Sequence, residues 1–177
     1  RSIYPRCNIL YPKMIDLILV AHNIRSIHNV GSLLRTAECL GVKTVYLTGY
    51  TPYPKIKNDP RLPHLAKKID SQMAKTSLEA EKFLNIVPNL TLEECLDELT
   101  KQGYSVVGLE QTNSSLNLKD YRASSKTALI VGNERYGLDE EALQLCKQTI
   151  EIPIRGKKES LNVVQATAIA IYKLSYL

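Results

Sequence analysis

Short continuous apolar runs alternate along the chain with longer segments whose apolar residues recur every three or four positions. The first pattern is typical of buried strands and the second of amphipathic helices. Strands are therefore predicted at residues 16–21, 44–48, 104–109, 127–131 and 150–153. Helices are predicted at residues 30–40, 65–77, 91–103, 139–147 and 161–176.

Capping residues mark several of these helix ends. Gly41 is the expected stop of the first helix, and Asn29 is expected to accept hydrogen bonds from its free backbone N–H groups. Thr91, followed three residues later by Glu94, is typical of a capping box. Ser160 is expected to cap the last helix.

The alternation of strands and helices determines the predicted fold class. It predicts an α/β domain with a mostly parallel sheet and helices on both faces, spanning residues 1–177 with residues 1–14 as an N-terminal tail. Ligands of such sheets bind beyond the carboxyl ends of the strands. Three polar clusters follow the first, fourth and last predicted strands, so we expect them to line one edge of the sheet.

The composition is that of a soluble globular protein, with 177 residues, 44% hydrophobic and 23% charged. No apolar run approaches the ~18 residues of a membrane span, and the first residues lack the apolar core of a secretory signal. We therefore expect no membrane association and no secretion. The chain opens on Arg1 and not on methionine, so we expect some N-terminal sequence to have been trimmed.

Cysteines and histidines are scattered without the spacing of metal ligands. The residues concerned are Cys7, Cys39, Cys95, Cys146, His22, His28 and His64. Their spacing predicts reduced thiols in a cytoplasmic protein, no disulfide framework and no metal site.

The net charge of +5 is unevenly distributed. Residues 1–90 hold 13 Lys and Arg against 6 Asp and Glu, a net of +7, whereas residues 91–177 hold 10 against 12, a net of −2. A basic half indicates a polyanionic partner contacted through its phosphates. The basic residues of the Pro-rich loop predicted at 50–63 and of the helix after it are Lys55, Lys57, Arg61, Lys67, Lys68 and Lys75. A solvated basic face is the alternative interpretation.

The first polar cluster reads Asn23-x-Arg25-x-x-x-Asn29-x-Gly31-x-x-x-Arg35. Gly31 permits close backbone approach. Arg35 lies within an apolar helical run, where its guanidinium would offer a planar fork of donors to a phosphate. A capping asparagine and a surface arginine are the alternative interpretation of this cluster.

The second cluster, Gly132-Asn133-Glu134 with Gly137, directly follows an apolar strand. A glycine at a strand end lets a ligand lie against the backbone, and Glu134 brings a carboxylate to the same edge. The third cluster joins Ile152-Pro153-Ile154-Arg155-Gly156 and the basic pair at 157–158 to Ser160-Leu161-Asn162. The two clusters are interpreted as ligand-binding loops, with a solvated turn and a simple helix cap as the respective alternatives.

Together the three clusters, in this order across residues 23–172, resemble the motifs of the SpoU (TrmH) branch of the SPOUT RNA 2′-O-methyltransferases. The segment 108–112 (Gly-Leu-Glu-Gln-Thr) also looks like one seen in relatives. The resemblance implies an α/β fold whose C-terminal segment is threaded into a deep trefoil knot, which no periodicity predicts because chains generally avoid knots. It also implies a homodimer with catalytic residues from both subunits.

The resemblance further implies the contents of the site. The methyl donor would be S-adenosylmethionine, with S-adenosylhomocysteine as product, and its binding residues would be Thr112, Gly132, Asn133, Glu134, Ile152 and Leu161. The catalytic residues would be Asn29, Arg35, Glu134, Ser160 and Asn162. The partner would be RNA, either tRNA or rRNA, contacting Arg25 and the basic residues between Lys55 and Lys75. Tyr50, Tyr53 and Tyr136 can stack on bases, although packing is the alternative for each.

A ribose 2′-hydroxyl is a weak nucleophile, so the implied reaction depends on alignment with the methyl carbon. Family proposals make the arginine matching Arg35 the base. Because a guanidinium normally stays protonated, we favour a cation that anchors the adjacent phosphate and stabilises developing alkoxide charge.

Two other functions stay open at this point. One is a non-catalytic RNA-binding or assembly module that retains the methyltransferase fold, although every position expected to carry catalysis holds the expected residue. The other is a nucleotide-binding metabolic protein. Against it, no Gly-x-Gly-x-x-Gly follows the first predicted strand and no P-loop signature is present.

Overall fold

Parallel strands form the centre of residues 15–176, the part of the chain that the computed structural model describes. The strands are β1 (Asp16–His22), β2 (Thr44–Thr48), β3 (Asn85–Leu90), β4 (Ser105–Leu109), β5 (Leu116–Asn117), β6 (Lys126–Val131) and β7 (Gln148–Glu151). They form one seven-stranded sheet in the order β3-β2-β1-β6-β4-β7-β5, and each neighbouring pair is parallel. All seven strands therefore end at one edge.

Helices cover both faces of this sheet. They are α1 (Ile27–Cys39), α2 (Pro63–Ser77), α3 (Leu92–Lys101), α4 (Glu140–Gln144) and α5 (Val163–Tyr176), with a short 3-10 helix at Ala80–Phe83. One core cluster joins alternate residues of β1 to α1, α2 and α5, and the other joins the remaining β1 residues to α3 and α4. Leu19 and Val20 point into opposite clusters and both are fully buried. Burial on both faces explains why the strands read as continuous apolar runs, and the predicted fold class is confirmed.

The apolar pattern does not predict the two strands at the sheet's edges. β3 contains Pro88, which the interior of a sheet would not accept, but β3 pairs with β2 alone and so has a free edge. β5 is only two residues long, too short for the apolar pattern to reveal. It exists because Leu116 and Asn117 pair with Ile150 and Glu151 of β7.

Two expected helix caps are wrong. α1 begins three residues before Val30, and its cap is Ser26, whose side chain accepts a hydrogen bond from Asn29 N at 3.3 Å. Asn29 therefore lies inside the first turn, with its side chain free for other partners. At α5, the cap is Asn162, whose Oδ1 accepts from Val164 N at 2.8 Å, and Ser160 precedes the helix.

The remaining boundaries shift by a few residues. β7 is displaced two residues towards the N-terminus and ends at Glu151, before Pro153. α4 is shorter than predicted, and its N-cap Asp139 accepts from Ala142 N. The capping box of Thr91 and Glu94 is confirmed, since both reciprocal hydrogen bonds are present.

Gly31 explains how α1 is held in place. A Cβ atom at this position would lie 2.2 Å from Thr76 Oγ1 and 2.6 Å from the carbonyl oxygen of Met73, both on α2. Only glycine therefore allows the two helices to pack this closely. The close approach packs the first half of α1 against the end of α2, where Thr76 Oγ1 also donates to the carbonyl oxygen of His28 at 3.0 Å.

Some expectations fall outside what the coordinates describe or test. The tail at residues 1–14, with Cys7, lies outside the described residues. The trefoil knot stays a prediction. Of the helices within residues 15–176, none combines the length and the apolar character needed to cross a bilayer. The same residues contain no group of three or more His, Cys, Asp or Glu side chains arranged to hold a metal ion.

Candidate functional site

A cavity of about 340 Å³ opens at the carboxyl edge of the sheet, beyond β4, β6 and β7. This size is within the usual range for small-molecule sites. Among its lining residues are Gly132, Asn133 and Glu134 after β6 and Ile152, Ser160 and Leu161 after β7. The structure thus brings the second and third sequence clusters to one cavity. Thr112 differs from expectation, because it does not line the cavity and its hydroxyl instead bonds Ser115 Oγ at 2.8 Å.

The wall formed by residues 132–137 is a tight turn. Asn133 N donates to the carbonyl oxygen of Gly137 at 3.0 Å, and Gly137 N donates back to the carbonyl oxygen of Asn133 at 2.9 Å. A Cβ atom on Gly132 would lie 2.4 Å from the carbonyl carbon and oxygen of Gly137. Gly132 is therefore required by the folded turn itself, in addition to leaving room for a ligand.

Glu110, whose role the sequence does not reveal, holds the other side of this turn. Its Oε2 accepts a hydrogen bond from Leu138 N at 2.8 Å, and it lines the cavity. Gly137 has a φ of +67°, and a Cβ atom there would lie 1.9 Å from Glu110 Oε2. Glu110 follows β4, so it connects the end of β4 to the turn after β6.

Glu134 connects the turn to the start of α1. Its Oε1 accepts hydrogen bonds from Ser26 N and Asn29 Nδ2, and its Oε2 accepts one from Arg25 N, each at 2.9 Å. Burial alone would raise the pKa of the Glu134 carboxyl, but the hydrogen bonds from Arg25, Asn29 and Ser26 outweigh it and the net pKa is lowered. Glu134 is thus an ionised acceptor at the positive end of a helix.

Asn29 extends this arrangement towards α5. Its Nδ2 donates to Glu134, and its Oδ1 accepts from Asn162 Nδ2 at 3.4 Å. Three of the five residues expected to be catalytic therefore form one hydrogen-bonded row from β6 through α1 to α5. Ser160 lies exposed on the cavity wall near the end of this row.

Arg35 lies away from the row. It is six residues beyond Asn29 on α1, which is about 9 Å along a helix axis. It is exposed and lines a second hollow between α1 and α5, together with Cys39 and Ala168. Within a single chain the structure does not bring Arg35 to the cavity.

The side chain of Asn133 makes four hydrogen bonds. The sequence shows Asn133 only as part of the second cluster and does not reveal these contacts. Its Oδ1 accepts from Arg135 N at 2.8 Å and from Tyr136 N at 3.0 Å. Its Nδ2 donates to the backbone oxygen of Asn23 at 3.0 Å and to the Tyr50 hydroxyl at 2.9 Å. One amide thereby ties together the loops after β1, β2 and β6.

Asn23 itself adopts a left-handed backbone, with φ of 54°, and His22 supports it. Asn23 Nδ2 donates to His22 Nε2 at 2.9 Å, so Nε2 carries no proton and Nδ1 donates to Thr48 Oγ1 at 2.9 Å. Burial lowers the pKa of His22, and Asp139 and Glu93 offset that effect only in part. His22 is therefore a neutral histidine whose role is to support the backbone of Asn23.

The basic residues expected to contact RNA fall into two groups. Lys55, Lys57, Lys67, Lys68 and Lys75 are exposed, as is Arg25. Arg61 is different, because its guanidinium is paired with Asp59, donates to the carbonyl oxygens of Tyr53 and Pro54, and stacks 3.6 Å from the Tyr53 ring centroid. Arg61 therefore holds the loop between β2 and α2, and its contact with RNA stays a prediction. Tyr53 is buried, which is the packing alternative stated for it.

A second basic group adjoins the cavity. Ile154 and Glu159 line the cavity, so the segment between them flanks it. Arg155, Lys157 and Lys158 in that segment are exposed, and so is Arg135 in the wall. The sequence shows these residues within its motifs, but charge counting points to the N-terminal half, and only the fold reveals their position.

Family comparison identifies this arrangement. The model of the SpoU rRNA Methylase family matches residues 16–172. The chain belongs to the SpoU rRNA methylase family. The resemblance stated from the three sequence clusters is thereby confirmed.

SpoU relatives act on more than one RNA class. The chain is 24% identical over 167 residues to a tRNA (guanosine(18)-2′-O)-methyltransferase of Escherichia coli, covering 94% of this chain and 66% of that protein. It is 30% identical over 158 residues to the 23S rRNA (guanosine-2′-O-)-methyltransferase RlmB of Xanthomonas axonopodis, covering 89% and 57%. The chain thus spans roughly two thirds or less of the length of these SpoU relatives.

Solved SpoU structures share the fold. An AdoMet-bound rRNA methyltransferase from Sinorhizobium meliloti superimposes with a TM-score of 0.76 at 22% identity, covering 93% of this chain and 57% of that one. The A. aeolicus TrmH/SpoU tRNA modifying enzyme superimposes with a TM-score of 0.74 at 26% identity, covering 92% and 75%.

Proposed function

We propose that this chain is the catalytic part of an enzyme that transfers a methyl group from S-adenosylmethionine to a ribose 2′-hydroxyl of tRNA or rRNA. Family membership supports the reaction class, and the names of relatives that act on tRNA and on 23S rRNA support both substrate classes. The observation that carries the proposal is the row Glu134–Asn29–Asn162 beside the cavity that contains Gly132, Ile152 and Leu161.

The cavity residues fit the proposed methyl donor. Its wall combines apolar residues, such as Leu109 and Ile152, with the glycine turn at residues 132–137. Such a mixture suits an adenosyl group, which needs apolar contact on its faces and a few fixed polar partners at its edges. Gly132, Asn133, Ile152 and Leu161 would hold the donor, which when bound supplies an electrophilic methyl carbon.

The hydrogen-bonded row would position the acceptor ribose. Glu134 fixes Asn29, and Asn29 in turn presents its Oδ1 to Asn162. Asn162 lies at the end of the row away from Glu134, and Ser160, two residues before it, lines the cavity. The polar atoms of both side chains would orient the hydroxyl group. Holding a weak nucleophile in line with the methyl carbon is a major contribution to catalysis, on the order of several kcal/mol.

A homodimer would bring Arg35 to the site. Arg35 is exposed on α1 beside the hollow shared with α5, and α5 also exposes Ile169 by 45% and Tyr172 by 50%. A second copy packed on this surface would bury the two apolar side chains and place its Arg35 near the first chain's row. There the guanidinium would anchor the phosphate next to the ribose and stabilise developing alkoxide charge.

Exposed lysines support an RNA partner outside the cavity. Lys55 and Lys57 lie in the loop between β2 and α2, while Lys67, Lys68 and Lys75 lie on α2. Together with Arg25 at the start of α1, they would contact phosphates and so contribute affinity without sequence preference.

Calorimetry and methyl incorporation test the proposal. We expect S-adenosylmethionine and S-adenosylhomocysteine to bind in the micromolar range, and methyl label to appear in bulk tRNA or rRNA at ribose 2′ positions. Mapping the label would then identify the nucleotide. Donor binding without transfer to either RNA would favour a non-catalytic RNA-binding module, and absence of donor binding would contradict the proposal.

A further inference from the structure

Two exposed tyrosines are hydrogen-bonded to Asn133, a residue of the cavity wall, and one of them, Tyr136, lines the cavity itself. The exposed fraction is 61% for Tyr50 and 77% for Tyr136. Asn133 Nδ2 donates to the Tyr50 hydroxyl at 2.9 Å, and Tyr136 N donates to Asn133 Oδ1 at 3.0 Å. One amide therefore determines the positions of both residues relative to the cavity wall.

The backbone behind each ring is held in place. Tyr50 N donates to Asn23 Oδ1 at 3.3 Å, and the next residue, Thr51, uses its hydroxyl to donate to the carbonyl oxygen of Ala21 at 3.1 Å. Tyr136 lies within the turn closed by the two hydrogen bonds between Asn133 and Gly137. Aromatic surface that is held in place while exposed loses little entropy when a flat partner stacks on it.

Positive charge surrounds the same opening. The Arg135 guanidinium lies 5.4 Å from the Tyr136 ring centroid. Between Ile154 and Glu159, which both line the cavity, Arg155, Lys157 and Lys158 are exposed, and within residues 15–176 none of these three forms an ion pair. Fixed aromatic rings next to unpaired cations are the combination that binds single-stranded nucleic acid, with bases on the rings and phosphates on the cations.

We propose that Tyr50 and Tyr136 form an aromatic rim that stacks an unpaired nucleobase of the RNA, while Arg135 and the segment 155–158 contact the flanking phosphates. The inference rests on the proposed function and adds to it the residues that hold the RNA at the cavity. It requires a base that is out of its helix, because both faces of a paired base are already stacked.

The test uses oligouridylate carrying one 2-aminopurine, whose fluorescence falls when the base stacks. The chain has no tryptophan, so 2-aminopurine can be excited without a protein signal. With S-adenosylhomocysteine present, we expect the wild type to quench the fluorescence. Tyr136→Ala should abolish most of the quenching and weaken binding by about 10-fold, whereas Tyr136→Phe should retain both, since stacking needs only the ring.

Two variants of Tyr50 distinguish the effect of the ring from the effect of the hydroxyl group. Tyr50→Phe removes the hydrogen bond to Asn133 and should weaken quenching in part, while Tyr50→Ala should reduce it as strongly as Tyr136→Ala does. Phe83→Ala is the matched control, because Phe83 is 74% exposed but precedes β3 and so lies at the opposite edge of the sheet. It should leave both quenching and affinity unchanged.

The cations give a separate readout. Replacing Arg155, Lys157 and Lys158 together by glutamine should reduce the salt dependence of binding, while quenching at saturating protein stays at the wild-type level. Quenching that survives Tyr136→Ala and Tyr50→Ala would overturn the inference. An equal loss of S-adenosylhomocysteine affinity in Tyr136→Ala would also overturn it, because the ring would then serve the donor. Methyl transfer by the wild type, measured separately, decides the proposed function independently of these results.

Discussion

Glu134 Oε1 lies 2.9 Å from Asn29 Nδ2, although the two residues are 105 positions apart in the chain. The contact is possible because β1 and β6 are neighbours in the sheet, so the loops after them leave the same edge side by side. It places the polar turn after β6 directly on the first turn of α1. The carboxylate of Glu134 therefore has two roles: it holds the side chain of Asn29, and it accepts hydrogen bonds from free backbone N–H groups at the start of α1.

Glu134→Gln should weaken both the fold and the activity. The amide that replaces one carboxylate oxygen would face N–H donors, so at least one hydrogen bond to Arg25 N, Ser26 N or Asn29 is lost. Hydrogen bonds to charged groups contribute about 1.5–3 kcal/mol, so urea unfolding should show a loss of that order and methyl transfer should fall sharply. Glu140→Gln, at an exposed position, is the control and should change neither quantity.

At acidic pH, the wild type and Glu134→Gln should have similar free energies of unfolding. The pKa of Glu134 is lowered in the folded state, so its stabilising contribution is complete above the ordinary carboxyl pKa and is lost as pH falls through the folded value. The gap in unfolding free energy between wild type and Glu134→Gln should therefore shrink on acidification. A gap that is constant over this range would contradict an ionised Glu134.

Arg35→Lys should lower methyl transfer by orders of magnitude, because the lysine keeps the charge but loses the planar fork of donors. Binding of S-adenosylhomocysteine should be unchanged, since Arg35 does not line the cavity. A variant with near-normal kcat would exclude both the anchoring role and the base role.

Mixing two inactive variants tests whether Arg35 acts across a dimer. Arg35→Ala and Asn162→Ala should each be inactive alone. After subunit exchange, the mixture should regain about a quarter of wild-type activity, because half the dimers are mixed and each mixed dimer has one intact site. The same mixture would stay inactive if both residues had to come from one chain.

His22 should make stability depend on mildly acidic pH. Burial lowers its folded pKa below the ordinary 6.5, so on acidification the unfolded chain binds a proton before the folded chain does. The free energy of unfolding should therefore fall as pH drops from 6.5 towards the folded value. Protonation at Nε2 would also break the hydrogen bond that supports Asn23.

His22→Gln isolates this effect. Denaturant titrations of the variant should lack the part of the pH dependence assigned to His22, although the variant is less stable overall. His64→Gln changes an exposed histidine on α2 and should leave the wild-type pH profile intact. Equal pH profiles in all three proteins would show that His22 titrates normally.

Gly132→Ala should disrupt the cavity wall. The added Cβ would lie 2.4 Å from backbone atoms of Gly137, which cannot move without opening the turn. We expect a loss of roughly 1–3 kcal/mol in unfolding free energy, typical of overpacking, together with weaker S-adenosylhomocysteine binding by calorimetry. Gly156→Ala meets nothing within 4 Å and should be neutral in both measurements.

Much of the fold could be predicted because a strand that is buried on both faces appears in the sequence as a continuous apolar run. β1 and β6 are uninterrupted apolar runs, since each packs against helices above and below. β3 escaped prediction because Pro88 is acceptable only in a strand with one neighbour, and the position of a strand in a sheet is a property of the whole fold. β5 could not be predicted because two residues carry no periodicity.

The candidate site also has features that the sequence reveals and features that it does not. The second and third motifs could be recognised because each is local, and the structure places Gly132, Glu134 and Leu161 at one cavity, while Asn162 bonds to Asn29 beside it. The partners of Glu134 and Asn133 were not predictable, because they are backbone N–H and C=O groups that any residue type could supply. The contacts of Arg61 could not be predicted for a related reason, since charge alone cannot distinguish a solvated arginine from one that stacks on Tyr53.

The central place of β1 has a consequence for biosynthesis. Asp16 and its neighbours leave the ribosome well before their partners in β6, which begin at Lys126. Until those partners emerge, one side of this apolar strand has unpaired backbone groups that can pair wrongly, which exposes the nascent chain to aggregation. A product that terminates before Lys126 would lack β6, so its sheet would not assemble around β1 and it would have no activity.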